Sequence, residues 1–152
     1  MKALVVYTSF HHGNTEKIAR AIADELKAKL LTAKEVERHM LKDYELIGLG
    51  SGIYFWKHHL SLFHLLDHLH EMKHKKVFIF STSGLKIGAI YHRALRKKLK
   101  AKGFKIAGEF NCAGWDTLGP LAKIGGISKG HPNETDIRNA KKFARSIMGG
   151  KS

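Results

Sequence analysis

Apolar positions along the chain alternate between two spacings. Residues 3–7, Ala-Leu-Val-Val-Tyr, form a short continuous apolar run with β-branched members, the pattern of a strand buried on both faces. Residues 8–15 are polar and contain one glycine. Ile18, Ile22, Leu26 and Leu30 then recur at every fourth position, with Ala19 and Ala23 between them, which is helical spacing. The pattern predicts a weak second strand near Leu30 and Leu31 and a short helix over 34–40. Residues 44–49 form the next expected strand, closed by Gly50-Ser51-Gly52. Leu62, Leu65, Leu66, Leu69 and Met72 share one helical face. Residues 76–80, Lys-Val-Phe-Ile-Phe, are the clearest strand and end in Ser81-Thr82-Ser83-Gly84. A basic helix over 91–102 is expected to turn Ala94, Leu95 and Leu99 inward. Residues 104–112 read as a fifth strand. Asn133 is placed to cap a last helix carrying Ile137, Ala140, Ala144 and Ile147.

About five strands alternating with helices predict an α/β fold, a parallel sheet covered on both faces. Ligands of such sheets bind beyond the carboxyl ends of the strands. The loops after Tyr7, Leu49, Phe80 and Cys112 are therefore where chemistry is expected. The long irregular stretch 113–132 adds a further candidate.

Composition narrows the class. The 152 residues, 43% hydrophobic with 2 prolines, suit one domain over 1–152 and argue against disorder. No apolar run reaches the roughly 18 residues of a membrane span. Met1-Lys2 leads directly into the first strand, leaving no room for an export signal, so a cytoplasmic location is expected. A single cysteine, Cys112, excludes an internal disulfide framework and a Cys-based zinc ribbon. Charge is the unusual property. The 27 Lys and Arg against 13 Asp and Glu leave +14, and 11 cations but no acid lie between Lys73 and Lys105. A field of that sign favours an anionic partner, namely nucleic acid, anionic lipid or an acidic protein; its plainer reading is a solvated face that keeps the protein soluble.

The loop Thr8-Ser9-Phe10-His11-His12-Gly13-Asn14-Thr15 joins a strand to a helix start and offers hydroxyl, amide and backbone donors. Free N–H groups and the helix dipole make such a loop an anion site, with His11 or His12 able to assist a dianion. The structural alternative is a simple cap at Asn14 or Thr15. It is not a Walker A loop, because Gly-Lys-Ser/Thr is missing. Gly48-Leu49-Gly50-Ser51-Gly52 is not a dinucleotide fingerprint, since the third glycine is misplaced and the wrong strand precedes it. Position 118 is Leu rather than the Arg of a phosphatase-type loop, so Cys112 reads as a small buried hydrophobe. The pairs His64/His68 and His70/His74 have metal-ligand spacing but lack a third ligand, and read as solvated faces.

Val5-Val6-Tyr7-Thr8-Ser9, followed by Gly13-Asn14-Thr15-Glu16 and Ile18-Ala19, resembles the phosphate-loop signature of the flavodoxin family. The likeness continues at Gly50-Ser51-Gly52-Ile53-Tyr54-Phe55 and at Phe80-Ser81-Thr82-Ser83-Gly84, in the family's order. It implies a doubly wound five-stranded parallel sheet of order 2-1-3-4-5 with FMN at its switch point. The implied phosphate site is Ser9, Phe10, His11, His12, Gly13, Asn14 and Thr15. The implied ring site is Ser51, Gly52, Ile53, Tyr54 and Phe55 on one side and Thr82, Ser83, Gly84 and Leu85 on the other. An isoalloxazine ring suits aromatic walls and backbone donors, which Tyr54, Phe55, Trp56 and the glycine-bearing turns offer; Trp115 is a further candidate wall. The chain departs from the family twice. Three residues rather than two separate Ser9 from Gly13, and the charge is basic where well-studied flavodoxins are acidic.

The resemblance implies an electron carrier that shuttles electrons between redox partners, and the basic charge of the chain makes a redox partner with an acidic docking surface the expectation. In that role the protein supplies no acid, base or nucleophile. Ser51-Gly52-Ile53-Tyr54-Phe55 and the basic character are also similar to the menaquinone-dependent protoporphyrinogen dehydrogenases, which implies the alternative of an FMN-dependent oxidoreductase acting on a quinone or porphyrinogen. A cofactor-free basic module binding nucleic acid is favoured by charge alone.

Overall fold

The computed structural model describes residues 1–10, 13–67, 69–70, 72–115 and 126–149. Strand β1 (Ala3–Thr8) is buried along its whole length. It is followed by helix α1 (Asn14–Leu26), strand β2 (Lys29–Thr32) and a 3-10 turn at Arg38–Asp43. Strand β3 (Leu46–Tyr54), the two-residue strand β4 (Lys57–His58) and helix α2 (Leu60–Leu66) come next, then strand β5 (Lys76–Ser83). Helices α3 (Gly88–Tyr91) and α4 (Arg93–Ala101), strand β6 (Lys105–Ala113) and helix α5 (Glu134–Met148) complete the chain. The five long strands pair in parallel in the order β2-β1-β3-β5-β6, and β4 turns back antiparallel on β3. The expected doubly wound parallel sheet is present, with one short strand added.

Alternation along the strands sends the apolar side chains to two cores. Val5, Tyr7, Phe78 and Phe80 pack with Ile18 and Ile22 of α1 and Ala140 and Ala144 of α5. Leu4, Val6, Ile47, Leu49, Val77 and Ile79 pack on the opposite face with Leu41, Leu62, Leu66, Leu95 and Leu99. Asn133 caps α5 by accepting from Asp136 N at 3.0 Å, as its sequence position suggests.

Four expectations shift. The third strand does not close at Gly50 but runs on through Ser51 and Gly52 to Tyr54. The glycines serve packing: the rings of Phe78 and Phe80 on β5 lie over β3, and a Cβ at Gly48 or Gly50 would fall inside them. The short helix expected over 34–40 appears later, as the 3-10 turn. The basic helix is broken at His92, which belongs to the junction of α3 and α4 and is buried against the sheet. Leu69 and Met72 lie beyond α2, yet still pack against the second core.

Candidate functional site

The first loop is built around a glycine that is required. Gly13 caps α1 in the left-handed region, with φ 67° and ψ 22°, a conformation that costs a glycine little and other residues more. It provides no side-chain cap, so neither Asn14 nor Thr15 is the N-cap; both are the first residues of the helix itself. Their side chains instead bind neighbouring loops. Asn14 Nδ2 donates to Trp115 O at 2.8 Å, and the hydroxyls of Thr15 and Thr82 lie 2.8 Å apart. Ser9 Oγ accepts from Glu16 N at 3.3 Å. The first-turn amides of α1 thus open toward the carboxyl end of the sheet, the geometry of an anion site. His11 and His12 lie outside the described residues.

The second loop is a hairpin. Tyr54 on β3 pairs with Lys57 on β4, so Phe55 and Trp56 are the two central residues of its turn. Both have positive φ, 49° and 69°. Two-residue hairpins want such angles and usually meet them with Asn-Gly; two bulky aromatics there store roughly 1–3 kcal/mol each. Phe55 is 95% exposed and Trp56 64%. The turn holds apolar rings in solvent against two costs, hydration and backbone strain. Trp56 leans toward Tyr91, 5.8 Å between centroids. Tyr54 meets His59 edge-on at 5.2 Å, and Phe10 of the first loop lies 5.1 Å from the same imidazole. Phe10 and Tyr54, from two loops far apart in sequence, are therefore brought to one place.

The third loop follows β5. Thr82 and Ser83 are buried and Leu85 is exposed. Ser83 O accepts from Gly114 N at 2.9 Å, and Gly84 O accepts from Ser128 Oγ at 2.7 Å, which ties this loop to the segments after β6. Trp115 donates its backbone N–H to His131 O, and Lys129 Nζ lies 5.5 Å from its ring centre. Through Asn14 it borders the first loop rather than the hairpin. Thr15–Thr82, Phe10–His59–Tyr54 and Asn14–Trp115 join all the expected loops at one end of the sheet.

Beneath the third loop lies a polar cluster that sequence reasoning missed. Ser81 Oγ is 2.6 Å from His92 Nε2, and His92 Nδ1 is 2.9 Å from Glu109 Oε1. Arg96 grips the same carboxylate through Nε and Nη2, both at 2.7 Å. Arg96 and His92 hold the Glu109 carboxyl below its ordinary range, against the pull of burial. His58 Nε2 bonds Phe80 O at 2.9 Å, and burial pushes that imidazole down to about 3. Polar residues at alternate positions, Ser81 on β5 and Glu109 and Asn111 on β6, were the only sequence signal for this cluster. Cys112 is buried in the first core, and its thiol is pushed up to about 12 by burial, the state of a packing residue.

The family model of the flavodoxin domain matches residues 4–115. The chain belongs to the flavodoxin family. An uncharacterized protein of Methanocaldococcus jannaschii is 52% identical over 149 residues, covering 97% of this chain and 99% of its own. Among solved structures, a flavodoxin from the domain Archaea matches with TM-score 0.69 at 19% identity, over 98% of this chain and 97% of that one. Flavodoxin 2 from Bacillus cereus matches with TM-score 0.73 at 18% identity, over 98% and 99%. At those identities the structures speak for the fold, and the family model speaks for the family.

The family's flavodoxin fold puts the three joined loops at the switch point, where β1 lies between β2 and β3. The fold does not gather the 11 cations between Lys73 and Lys105 at the third loop. Lys76 and Lys105 start β5 and β6 and face each other at the opposite end of the sheet. Lys98 pairs with Asp67, and Arg96 with Glu109. Of the exposed cations of the basic stretch, Lys86 follows the third loop directly and Arg93 opens α4, two residues beyond Tyr91, which meets the hairpin's Trp56. Among the described residues no helix is long and apolar enough to cross a membrane.

Proposed function

We propose that this chain binds FMN non-covalently and works as a flavodoxin-type electron carrier, a single domain over 1–152 in the cytoplasm. The observation that carries the reading is the joining of the glycine-capped start of α1 to the aromatic hairpin and the loop after β5 in a member of this family. The donor set fits the cofactor. Ser9, Gly13, Asn14 and Thr15 offer backbone and side-chain groups for a phosphate, with open space where a Cβ of Gly13 would stand. Tyr54 and Phe55 offer a wall for a flat ring, and Ser51, Gly52, Ile53, Thr82, Ser83, Gly84 and Leu85 border it. When bound, FMN supplies the redox chemistry; the protein positions it and sets its potential. The partner is a redox protein whose acidic surface meets Lys86 and Arg93.

Titrating the purified chain with FMN and with riboflavin tests this. One FMN per chain is expected, bound more tightly than riboflavin. Replacing Asn14 and Thr15 with Leu should weaken FMN at least about tenfold more than riboflavin, the worth of roughly one charge-assisted hydrogen bond. Equal losses would reject the phosphate site. Electron exchange with a partner protein but no unaided turnover of a quinone or porphyrinogen separates a carrier from the enzyme alternative.

A further inference from the structure

The two histidines beneath the third loop have fixed tautomers. A carbonyl only accepts, so His58 carries its hydrogen on Nε2 toward Phe80 O, and its Nδ1 is left bare, buried and without a partner among the described residues. Glu109, clasped by Arg96, is ionised and also only accepts, so His92 carries its hydrogen on Nδ1. His92 Nε2 is then bare and accepts from the Ser81 hydroxyl. Both imidazoles are 1% exposed, and their centroids lie 5.0 Å apart.

The two differ in what opposes protonation. His58 has burial and a neighbouring histidine against it. His92 is lowered by burial and by Arg96 but supported by a direct bond to the Glu109 carboxylate. The groups that face His92 are His58 from β4, Ser81 from β5, Glu109 and Asn111 from β6, and Arg96 from its own helix. His92 is thus the imidazole poised to change state if negative charge appears nearby.

A continuous chain of hydrogen bonds links it to the proposed ring site. Ser81 Oγ accepts from Asn111 Nδ2 at 2.8 Å, the same amide donates to Ser83 Oγ at 3.0 Å, and Ser83 Oγ donates to Leu85 O. Ser83 lies two residues beyond Ser81, roughly 6–7 Å along the strand.

We infer that His92 is the proton-storing residue of the flavin site, taking a proton from solvent onto Nε2 when electrons from the redox partner enter the bound cofactor. The inference rests on the FMN reading above. A reduction by two electrons that brings only one proton to the ring leaves one negative charge, and proton uptake by His92 offsets it in part, most between the imidazole's two titration points. Once Nε2 carries a hydrogen it donates to Ser81 Oγ, and the Ser81 hydroxyl must find another acceptor. Asn111 Oδ1, buried and without a partner among the described residues, becomes that acceptor when its amide turns over. Ser83 then loses the amide that holds it. The charge of the cofactor is thereby read by the loop at residues 83–85.

The test follows the imidazole signals of the whole chain by NMR through a pH titration, without FMN, with oxidised FMN and with reduced FMN. His92 is expected to titrate below its ordinary value in the first two states. In the third it should rise by about one unit, the effect of a unit charge roughly 10 Å away at an effective dielectric of about 20. In weak buffer, reduction should take up more protons in the wild type than in His92→Gln, and Glu109→Gln should lower the His92 titration further. A His92 signal indifferent to reduction in a protein that binds and reduces FMN overturns the inference and leaves the FMN reading standing. Failure to bind FMN overturns both. Because the wild-type titration needs no variant, a poorly folding His92→Gln would not shelter the inference.

Discussion

His58 shows what one buried side chain does to the stability of the whole fold. In the unfolded chain it titrates near its ordinary value of 6.5, but in the folded protein burial holds it at about 3. Below about pH 6.5 the unfolded state takes up a proton that the folded state refuses, so stability falls as pH falls, by about 1.4 kcal/mol per unit down to about pH 3. Urea unfolding at about pH 7 and about pH 5 should therefore show a loss that shrinks by roughly 2 kcal/mol in His58→Gln. An unchanged loss would mean that the histidine titrates normally in the native state. Nothing in the sequence marks this residue, since its burial comes from β4 folding back on β3 to bring its ring to Phe80 O. The glycines of β3 teach a related lesson. Gly50 reads as punctuation in one dimension, but the cause of both Gly48 and Gly50 is the pair of phenylalanines on the neighbouring strand. Gly13, by contrast, was legible as a loop glycine because the demand on it is local, a left-handed backbone.

At the level of elements, the long strands and helices were legible because their periods are strong and their faces are buried. The hairpin of β3 and β4 was not, because its turn breaks the usual chemistry of such turns. Phe55 and Trp56 stand in solvent at positive φ, where a selection for stability alone would place Asn-Gly. Exchanging them for Asn and Gly should relieve backbone strain and, after the loss of the Trp56–Tyr91 contact, still raise the unfolding free energy by about 1–2 kcal/mol. The same exchange should remove part of the quenching of flavin fluorescence on FMN binding, and Tyr54→Leu the remainder. Stabilisation without any change in quenching would assign the aromatic pair to something other than the ring, and full quenching after all three exchanges would move the wall to another loop. The strain and the exposure are two independent signs that this turn is kept for what it meets.

For the whole molecule the question is where the net charge of +14 acts. The basic stretch looks continuous along the chain, but the fold divides it. Lys76 begins β5 and Ser83 ends it, seven residues or roughly 23 Å apart, well beyond the roughly 8 Å over which exposed charges act at physiological ionic strength. Lys105, opposite Lys76, is as remote, whereas Lys86 follows the third loop directly and Arg93 opens α4 next to Tyr91, which meets the hairpin. On the FMN reading proposed above, negative charge gained on reduction at the site end is stabilised by the near cations and not by the remote ones. Neutralising Lys86 and Arg93 should make the potential of the fully reduced couple more negative and weaken its dependence on salt. Neutralising Lys76 and Lys105 should leave both as they are at physiological ionic strength. Electron exchange with an acidic partner should follow the same division, slowing with added salt in the wild type and losing most of that sensitivity in the first variant. If the remote pair mattered as much as the near pair, the field of the whole protein rather than the site end would set the potential. A potential indifferent to all four changes would make the basic surface a solvated face.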